Sequence, residues 1–330
     1  MNARVRILIL VVVLSVALAT LAQTTPQPAI SSVISLFDHY PIVIIGEDHW
    51  LRANGEFYIS LVSSPEFAKH ADTLVLECGN SLYQAILDRY ENGEDIPFGQ
   101  ISQVWRNTTK VMAWESPIYA NLIAAVRDVN RGLPAAERIR VIAADSPIDW
   151  SLVHDSRDYE KAFGGNEFFA SIIEREVLTK KRKALVIMGD NHVTRGGDAR
   201  GYPNLTSMIE KRARLSIYVI LADGLRTNSD PALRGTAPSL YPLRRTPVGQ
   251  EWSNGRRAEE AADAFLYLGA SRAKVGPDWE ALQSDIAYFA ELQRRHLIAF
   301  GCPLNLETWK SLSNPCPRSS SESRFNSAGR

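Results

Sequence analysis

Five short apolar runs recur along the chain. Each run ends in an acidic residue or in a short polar segment that contains one. They cover residues 41–49, 73–80, 139–145, 184–192 and 216–223. Their β-branched residues follow one another without polar alternation, which is typical of strands buried on both faces of a parallel sheet. Helical periodicity between the runs completes a repeated β-α pattern. The chain is therefore predicted to form one α/β domain, with a single doubly wound, mainly parallel sheet flanked by helices.

Further elements are predicted from periodicity and from turn residues. Helices are expected at residues 54–70, 82–90, 117–131, 166–181 and 279–297, and a last strand at 263–269. Ser81 is the expected N-cap of the second helix. Residues 227–257 are rich in Pro, Arg, Ser and Gly and lack periodicity, so they predict a long loop over the site edge. The α/β domain with its C-terminal helical extension is placed at residues 23–300, followed by a partly disordered tail at 301–330.

The N-terminus has the layout of an export signal. Arg4 and Arg6 precede an apolar run at residues 7–19, and small residues lead to a plausible cleavage point between Ala22 and Gln23. This order predicts a signal peptide at residues 1–22 and a periplasmic or secreted protein without a stable membrane anchor after cleavage. An uncleaved anchor is the alternative, although the run is short for a spanning helix.

Composition narrows the function classes only slightly. The 330 residues include 37 basic and 37 acidic side chains, so the formal net charge is zero and no dense basic face for nucleic acid is indicated. Cys302 and Cys316 could form a disulfide in an oxidising compartment. Cys78 could be a reactive thiol beside Glu77, but a small buried residue is the favoured interpretation.

Two histidines and several carboxylates follow the predicted strands. Glu47-Asp48-His49 ends the first run, and Asp190-Asn191-His192 repeats the acid-x-His spacing at the fourth. In open parallel sheets, ligands bind beyond the carboxyl ends of the strands. One histidine alone would favour a structural role, but two at equivalent positions favour a site. Glu77, after a buried strand, must pair, bind a ligand or reach solvent.

The site residues predicted from this pattern fall into two groups. The catalytic set is Glu47, His49, Glu77 and His192, and the same four would be the ligands if a metal is used, with zinc or manganese the best matches. Substrate contacts are expected from Arg106, Asn80, Asp190, Arg195 and Asp145, with Asp223 a weaker candidate. Structural alternatives stay open for Asp145, which precedes Ser146-Pro147 and could initiate a turn, and for Arg106, which could lie on a surface loop.

At these residues the chain resembles the superfamily of erythromycin esterases, ChaN-like haem-binding lipoproteins and Tiki/TraB-type proteins. The resemblance rests on residues 46–49, Glu77 and residues 189–192, spans about residues 40–225 and leaves the subfamily open. It implies a parallel-sheet α/β fold with paired Glu and His side chains at one edge. In the esterase branch, residues matching Glu47, His49 and Glu77 would activate water to open a lactone. In the Tiki branch, similar residues are implicated in metal-dependent peptidase activity.

Two functional hypotheses follow. The first is an exported hydrolase of an ester, lactone or peptide, in which His49 takes a proton from water, Glu47 or Glu77 orients it, and His192 stabilises charge or protonates the leaving group. The second is a non-enzymatic haem-binding or haem-uptake protein of the ChaN-like type, with aromatic residues near the site (Trp50, Tyr83, Trp105 and Trp114). The haem-binding tyrosine and the lipid-anchoring cysteine of that branch have no identified match here. A degenerate member with a structural role is the third possibility.

Two other chemistries lack their motifs. The sequence contains no Gly-x-Ser-x-Gly elbow of the classical serine hydrolases. It also lacks a glycine-rich phosphate loop after the first strand. The expected partner is therefore a small-molecule or peptide substrate.

Overall fold

An eight-stranded sheet forms the centre of the protein. The computed structural model describes residues 25–196, 203–222, 237–253, 255–310 and 316. The strands in chain order are β1 (Gln27–Pro28), β2 (Ile42–Glu47), β3 (Thr73–Asn80), β4 (Arg140–Asp145), β5 (Ala184–Gly189), β6 (Tyr218–Ala222), β7 (Ser239–Pro242), β8 (Trp252–Ser253), β9 (Arg256–Arg257) and β10 (Ala264–Tyr267). The sheet has the order β1-β7-β10-β6-β2-β5-β3-β4, and β8 and β9 form a separate ribbon.

Six neighbouring strands of the sheet are parallel. Strands β10, β6, β2, β5, β3 and β4 run in one direction, whereas β7 and β1 complete one edge in antiparallel pairings. The predicted fold class, a single and mainly parallel sheet flanked by helices, is confirmed. The prediction of one long loop over residues 227–257 is wrong where the structure describes that segment. Four residues ending in proline are too short for a periodicity to be read, and β7 pairs with β1 and β10, which lie far from it or later in the chain.

The helices surround this sheet. They are α1 (Ala29–Leu36), α2 (Arg52–Val62), α3 (Phe67–His70), α4 (Gln84–Glu91), α5 (Phe98–Ile101), α6 (Gln103–Arg106), α7 (Pro117–Arg131), α8 (Ser156–Ala162), α9 (Gly165–Ile173), α10 (Asp190–Val193), α11 (Leu205–Ala213), α12 (Ala258–Ala261), α13 (Trp279–Ser284), α14 (Ile286–Phe300) and α15 (Leu306–Lys310). Short 3₁₀ turns lie at Ser81–Tyr83, Ala135–Glu137 and Val248–Gln250, and a π-helical turn at Glu174–Leu178 extends α9.

Three of the predicted helices differ in detail. The segment 54–70 is divided into α2 and α3, with Pro65 between them. The segment 279–297 is divided at Asp285, whose carboxylate accepts the Tyr288 backbone N–H and begins a new helix. The helix after β3 begins with the 3₁₀ turn, and its cap is Asn80 rather than Ser81, because the Asn80 amide oxygen accepts the Leu82 N–H at 2.8 Å.

Two hydrophobic clusters cover the two faces of the sheet. On one face, α2, α4 and α7 contribute buried side chains, including Phe57, Leu87 and Leu122. On the other face, α9 and α11 contribute Phe169 and Leu205. Strand β2 is therefore followed by a helix on the first face, and its neighbour β5 by helices on the second. Such a topological switch point opens a crevice at the carboxyl ends of the two strands.

A third cluster lies under the C-terminal extension. Helices α13 and α14 bury Leu282 and Leu292 against Ile148 and Trp150, which follow β4. The extension carries a disulfide between Cys302 and Cys316, the pairing that the sequence allowed. Cys78 is buried in β3, where burial raises the pKa of its thiol well above the usual value, in keeping with the favoured structural interpretation.

The N-terminal predictions fall outside the described structure. The predicted signal at residues 1–22 lies there, as does most of the predicted tail after residue 310. Within the described ranges, no helix combines the length and apolar content needed to cross a membrane.

Candidate functional site

Both acid–histidine pairs lie at the crevice between β2 and β5. Glu47 is the last residue of β2, and in the parallel register it lies opposite Gly189, the last residue of β5. His49 follows β2 by two residues, and His192 lies on α10 directly after β5. Glu77 comes from β3, the next strand along the sheet. The four side chains of the predicted catalytic set therefore meet at one edge.

The first pair is Glu47 with His49. The Nδ1 atom of His49 lies 2.9 Å from Oε1 of Glu47. The hydroxyl of Tyr119, in the first turn of α7, donates to the same carboxylate oxygen at 2.9 Å. Glu47 is almost fully buried, so these two contacts supply the hydrogen bonds that a buried carboxylate requires. They also fix the imidazole orientation, leaving Nε2 as the unused ring nitrogen.

The second pair is Glu77 with His192. The Nε2 atom of His192 lies 3.3 Å from Oε1 of Glu77, and the other carboxylate oxygen accepts the backbone N–H of Gly189 at 2.7 Å. On the far side of the ring, Nδ1 of His192 lies 2.6 Å from Oδ1 of Asn166 on α9. Glu77 therefore contacts the second histidine and the end of β5. Of the options that the sequence left open for it, which were a partner, a ligand or solvent, the structure shows a partner.

Gly189 is the point at which the two pairs approach each other. A Cβ atom at this position would lie 2.9 Å from Nε2 of His49 and 3.5 Å from Oε2 of Glu77. Such a close approach to His49 excludes any side chain here unless the imidazole moves. The glycine therefore allows Nε2 of His49 to lie against the backbone that Glu77 holds.

Aromatic rings support both imidazoles. Trp114 packs edge-on against His49 with ring centroids 4.7 Å apart, and Phe169 packs edge-on against His192 at 5.2 Å. The side chain of His49 is still 34% exposed and that of His192 is 20% exposed, whereas both glutamates are buried. Solvent can therefore reach the imidazoles directly, whereas the carboxylates are shielded behind them.

Protonation in the site follows from this arrangement. Burial by itself lowers the pKa of His49, but the hydrogen bond to Glu47 and the nearby negative charges outweigh it, and the pKa lies above its ordinary value. For Glu77, burial favours the neutral carboxyl, yet the charge of His192 and its hydrogen bond hold the pKa well below the usual range. Burial raises the pKa of Asp190, which begins α10 between the two histidines.

A metal ion does not fit the arrangement of these side chains. The four predicted ligands form two separate pairs, and each histidine directs a ring nitrogen at its own carboxylate. Among the described residues, no group of three or more histidine, cysteine or acidic side chains has a geometry that could hold a metal ion.

The aromatic residues named in the haem-binding hypothesis do not form a surface on which a haem plane could lie. Of the four aromatic residues predicted near the site, Trp50, Trp105 and Trp114 are buried in the core, with exposures of 5%, 7% and 1%. The hydroxyl of Tyr83 accepts a hydrogen bond from Asn107. None of these three indoles presents an open face of the kind a haem would cover.

Two of the predicted substrate-binding residues are enclosed by structural contacts. Asn80 is fully buried, and its amide nitrogen donates to the carbonyls of Asn107 and Ile148 while its oxygen caps the turn after β3. Asp145 accepts the backbone N–H and the hydroxyl of Thr109, the latter at 2.7 Å. Burial raises the pKa of Asp145 to about 6.

The two predicted arginines are engaged in ion pairs. Arg195 lies 2.7 Å from Asp263 and 3.2 Å from Glu210, and it also donates to the Ile217 carbonyl. Arg106 lies 3.5 Å from Glu115, and its guanidinium stacks on the Tyr288 ring at 4.3 Å. Asp190 is the member of the predicted substrate-binding group that adjoins both histidine pairs. Asp223 lies outside the described residues.

A solvent-open cavity of about 580 Å³ lies beside the site without including it. None of the four paired side chains lines it. Its lining residues are Tyr83, Asn107, Asp149, Trp150, Ser151, His154, Glu291, Arg294 and Arg295. Arg294 and Arg295 bond Glu291 and backbone carbonyls, so their charges serve to attach α14 to the loops after β3 and β4.

Two polar residues of the site were not predicted from the sequence. Tyr119 contacts Glu47, and Asn166 contacts His192. The available signal for Tyr119 was its position on the apolar face of α7, since a buried tyrosine hydroxyl usually requires a partner. Asn166 near the start of α9 carried no distinguishing signal.

Comparison with known proteins gives similarity of structure only. No family model and no curated protein sequence matches the chain. A succinoglycan biosynthesis protein is similar in structure with a TM-score of 0.52 at 11% identity, over 74% of this chain and 94% of that one. The type III effector HopBA1 gives a TM-score of 0.43 at 11% identity, over 74% of this chain and 96% of its own. ChaN of Campylobacter jejuni, solved with cofacial haem, gives a TM-score of 0.40 at 12% identity, over 74% of this chain and 98% of its own.

ChaN, one of the names in the resemblance, is among these neighbours at 12% identity. The similarity to the succinoglycan biosynthesis protein establishes a shared α/β fold. The subfamily stays a prediction.

Proposed function

We propose that this protein is a hydrolase in which His49 activates water for attack on an acyl carbon. The observation that carries the proposal is the Glu47–His49 pair, in which Nδ1 faces the carboxylate and Nε2 is left for a proton in a partly exposed ring. A carboxylate that fixes the tautomer and increases the basicity of an imidazole is the usual arrangement of a general base.

The proposed reaction includes two proton transfers. Nε2 of His49 takes a proton from water as the water oxygen bonds to the carbonyl carbon of the substrate. The tetrahedral intermediate then collapses, the bond to the leaving oxygen or nitrogen breaks, and His192 supplies the proton that the leaving group requires. Oxygen atoms of Glu77 and Asn166 lie near the two ring nitrogens of His192 and hold the ring at the crevice.

The substrate proposed is an ester, a lactone or a peptide. No step passes through a metal ion, because the paired side chains do not form a ligand group. The charges of both histidines act on Asp190, which supports its proposed role as a substrate contact. Haem uptake remains the alternative proposal from the sequence, and the packing of the three tryptophans gives it no support.

An extracytoplasmic location is part of the proposal. It is supported by the predicted signal at residues 1–22 and by the Cys302–Cys316 disulfide, a bond that is typical of oxidising compartments.

The proposal is tested by replacing His49 and by a matched control. The full-length protein is assayed against panels of 4-nitrophenyl esters, lactones and short peptides. His49→Gln is expected to lower kcat by about 10²–10⁴-fold, the range typical of a general base, with little change in KM. His70→Gln is the control, because His70 forms a similar pair with Asp38, 3.0 Å away on the surface. Equal activity of the His49 variant and the wild type would exclude this mechanism.

A further inference from the structure

Lys110 lies on a loop whose backbone is held by hydrogen bonds to side chains of other elements. The loop connects α6 to α7, beyond the carboxyl ends of β3 and β4. Three consecutive carbonyls accept hydrogen bonds from buried side chains: that of Asn107 from Asn80 at 2.6 Å, that of Thr108 from Trp150 at 3.1 Å, and that of Thr109 from Tyr159 at 2.9 Å. The residue before Lys110 is also bound through its N–H and hydroxyl to Asp145. Little conformational entropy remains to be lost by this backbone when a ligand binds.

The ammonium group of Lys110 contacts the segment that leads from α8 into α9. Its Nζ atom lies 5.0 Å from the centre of the Phe163 ring, in a cation–π contact. Phe163 leads into α9, whose Asn166 holds His192. At Asp145, where burial raises the pKa, the positive charge of Lys110 partly opposes that effect, and at Glu77 it adds to the larger lowering of the pKa by His192.

Lys110 differs from the arginines first considered as substrate contacts. Arg106 and Arg195 have carboxylate partners, whereas no described carboxylate lies within ion-pairing distance of the Lys110 ammonium, the two oxygens of Asp145 being bound to Thr109. Its side chain is half-buried, so its charge is less screened than that of an exposed lysine. The ammonium is therefore a cation on the Phe163 ring, near enough for its charge to act on the Glu77 carboxyl, and it has no hydrogen-bond or ion-pair partner among the described residues.

We propose that Lys110 binds an anionic group of the substrate, a carboxylate or a phosphate, and that the site prefers acyl substrates carrying such a group. The inference rests on the proposed hydrolase function and names its substrate class. Glu47, Glu77 and Asp190 would repel an anion placed elsewhere in the crevice, so Lys110 also sets the direction in which the substrate lies.

The test compares two esters that differ in one charge. 4-Nitrophenyl butyrate and 4-nitrophenyl hemisuccinate have acyl groups of equal length, and only the second carries a carboxylate. The wild type is expected to have a higher kcat/KM for the hemisuccinate. Lys110→Gln should lower kcat/KM for the hemisuccinate by about 10- to 100-fold through KM, the range for a hydrogen bond to a charged group, and leave the butyrate within about twofold.

Two control variants separate the charge from the fold. Lys110→Arg retains the cation and should keep most of the preference. Lys69→Gln removes an exposed lysine that pairs with Glu66 and should change neither ester. Equal losses on both esters, or no loss on either, in Lys110→Gln would overturn the proposal.

A binding measurement makes the two proposals separable. Succinate is titrated calorimetrically into the wild type, Lys110→Gln and Lys69→Gln. Binding that is lost only in Lys110→Gln supports the anion site even if no ester is cleaved, in which case the hydrolase proposal alone fails. Binding that is equal in wild type and Lys110→Gln, or absent from both, overturns the anion site whether or not esters are cleaved.

Discussion

The two histidines of the site differ in what their partners leave free. His49 is bonded to Glu47 through Nδ1 alone, whereas His192 has an oxygen near each ring nitrogen. Among the described residues, the Nε2 atom of His49 therefore has no hydrogen-bond partner, whereas both ring nitrogens of His192 are held by protein oxygens. The acid-x-His spacing of the sequence is the same in both, so the difference arises from Tyr119, Asn166 and Glu77, which other elements supply.

The pH dependence of activity should report the Glu47–His49 pair. A general base is active when neutral, so kcat/KM should rise with pH through the pKa of His49, which its hydrogen bond to Glu47 and the nearby carboxylates hold above the ordinary value of a histidine. Replacing Glu47 by Gln removes the charge and weakens the hydrogen bond that raise this pKa, while the lowering effect of burial remains. Glu47→Gln should therefore shift the acidic limb of the kcat/KM profile to lower pH and reduce its plateau.

Asp38→Asn provides the matched control for this profile. Asp38 is the partner of the surface residue His70, so its replacement should leave the acidic limb in place. An acidic limb that stays at the same pH in Glu47→Gln would mean that another group is the base.

At the scale of elements, the sheet is closed at one edge by side chains of a helix. Among the described strands, β4 pairs only with β3, so its outer backbone groups have no strand partner there. Helix α4 supplies the partners: Glu91 accepts the Val141 N–H at 2.7 Å, and Gln84 accepts the Ala143 N–H and donates to the Val141 carbonyl, each at 2.8 Å. Covering an edge in this way prevents pairing with a second chain.

Glu91 makes this cover dependent on pH. Burial raises the pKa of its carboxyl from 4.5 to about 8, so the folded protein retains a proton that the unfolded chain releases. Its contribution to stability is complete below about 4.5 and is lost as pH rises to about 8. Glu91→Gln keeps an oxygen acceptor without the titration, so the difference between its unfolding free energy and that of the wild type should rise by about 4 kcal/mol from pH 4.5 to pH 8.

The measurement is chemical denaturation at several pH values. Glu137→Gln, in the exposed turn after α7, is the control and should follow the wild-type slope. Parallel curves for Glu91→Gln and the wild type would show that Glu91 is charged in the folded state.

The elements differ in how far local sequence specifies them. The five parallel strands first identified are apolar runs long enough to be recognised alone, and the structure has a strand at each of them. Strand β7 has four residues and depends on β10, and the break at Asp285 depends on one capping side chain. Tyr119 became a partner of Glu47 only because α7 packs beside β2, an arrangement that the spacing of residues along one helix cannot specify.

At the scale of the whole molecule, topology explains why the site lies where it does. The sequence indicated that carboxylates and histidines share one edge of a sheet. It did not indicate that β5 enters between β2 and β3, which places the two histidine-bearing strand ends side by side. Strand order depends on long-range pairing, so the meeting of His49 with Gly189, and of Glu77 with His192, could not be obtained from the separate motifs.

The C-terminal extension is connected to the site through aromatic packing. Trp50, next to His49, packs against Trp279 and Trp309 of the extension. Trp309 donates to His296, whose other ring nitrogen lies 2.9 Å from the carbonyl oxygen of Cys302. The disulfide thus holds the end of α14 in the position at which α15 covers Trp50.

Reduction of this disulfide should destabilise the protein. The bond joins residues 14 apart, and a crosslink that closes a loop of about 15 residues contributes about 3 kcal/mol by restricting the unfolded chain. Reductant should therefore lower the unfolding free energy of the wild type by about that amount. The Cys302→Ser, Cys316→Ser double variant should begin at the lower value and not respond to reductant, because Cys78 has no disulfide to lose. A wild type whose unfolding curve is unchanged by reductant would show that the crosslink contributes nothing, and that packing around His296 alone holds the extension against Trp50.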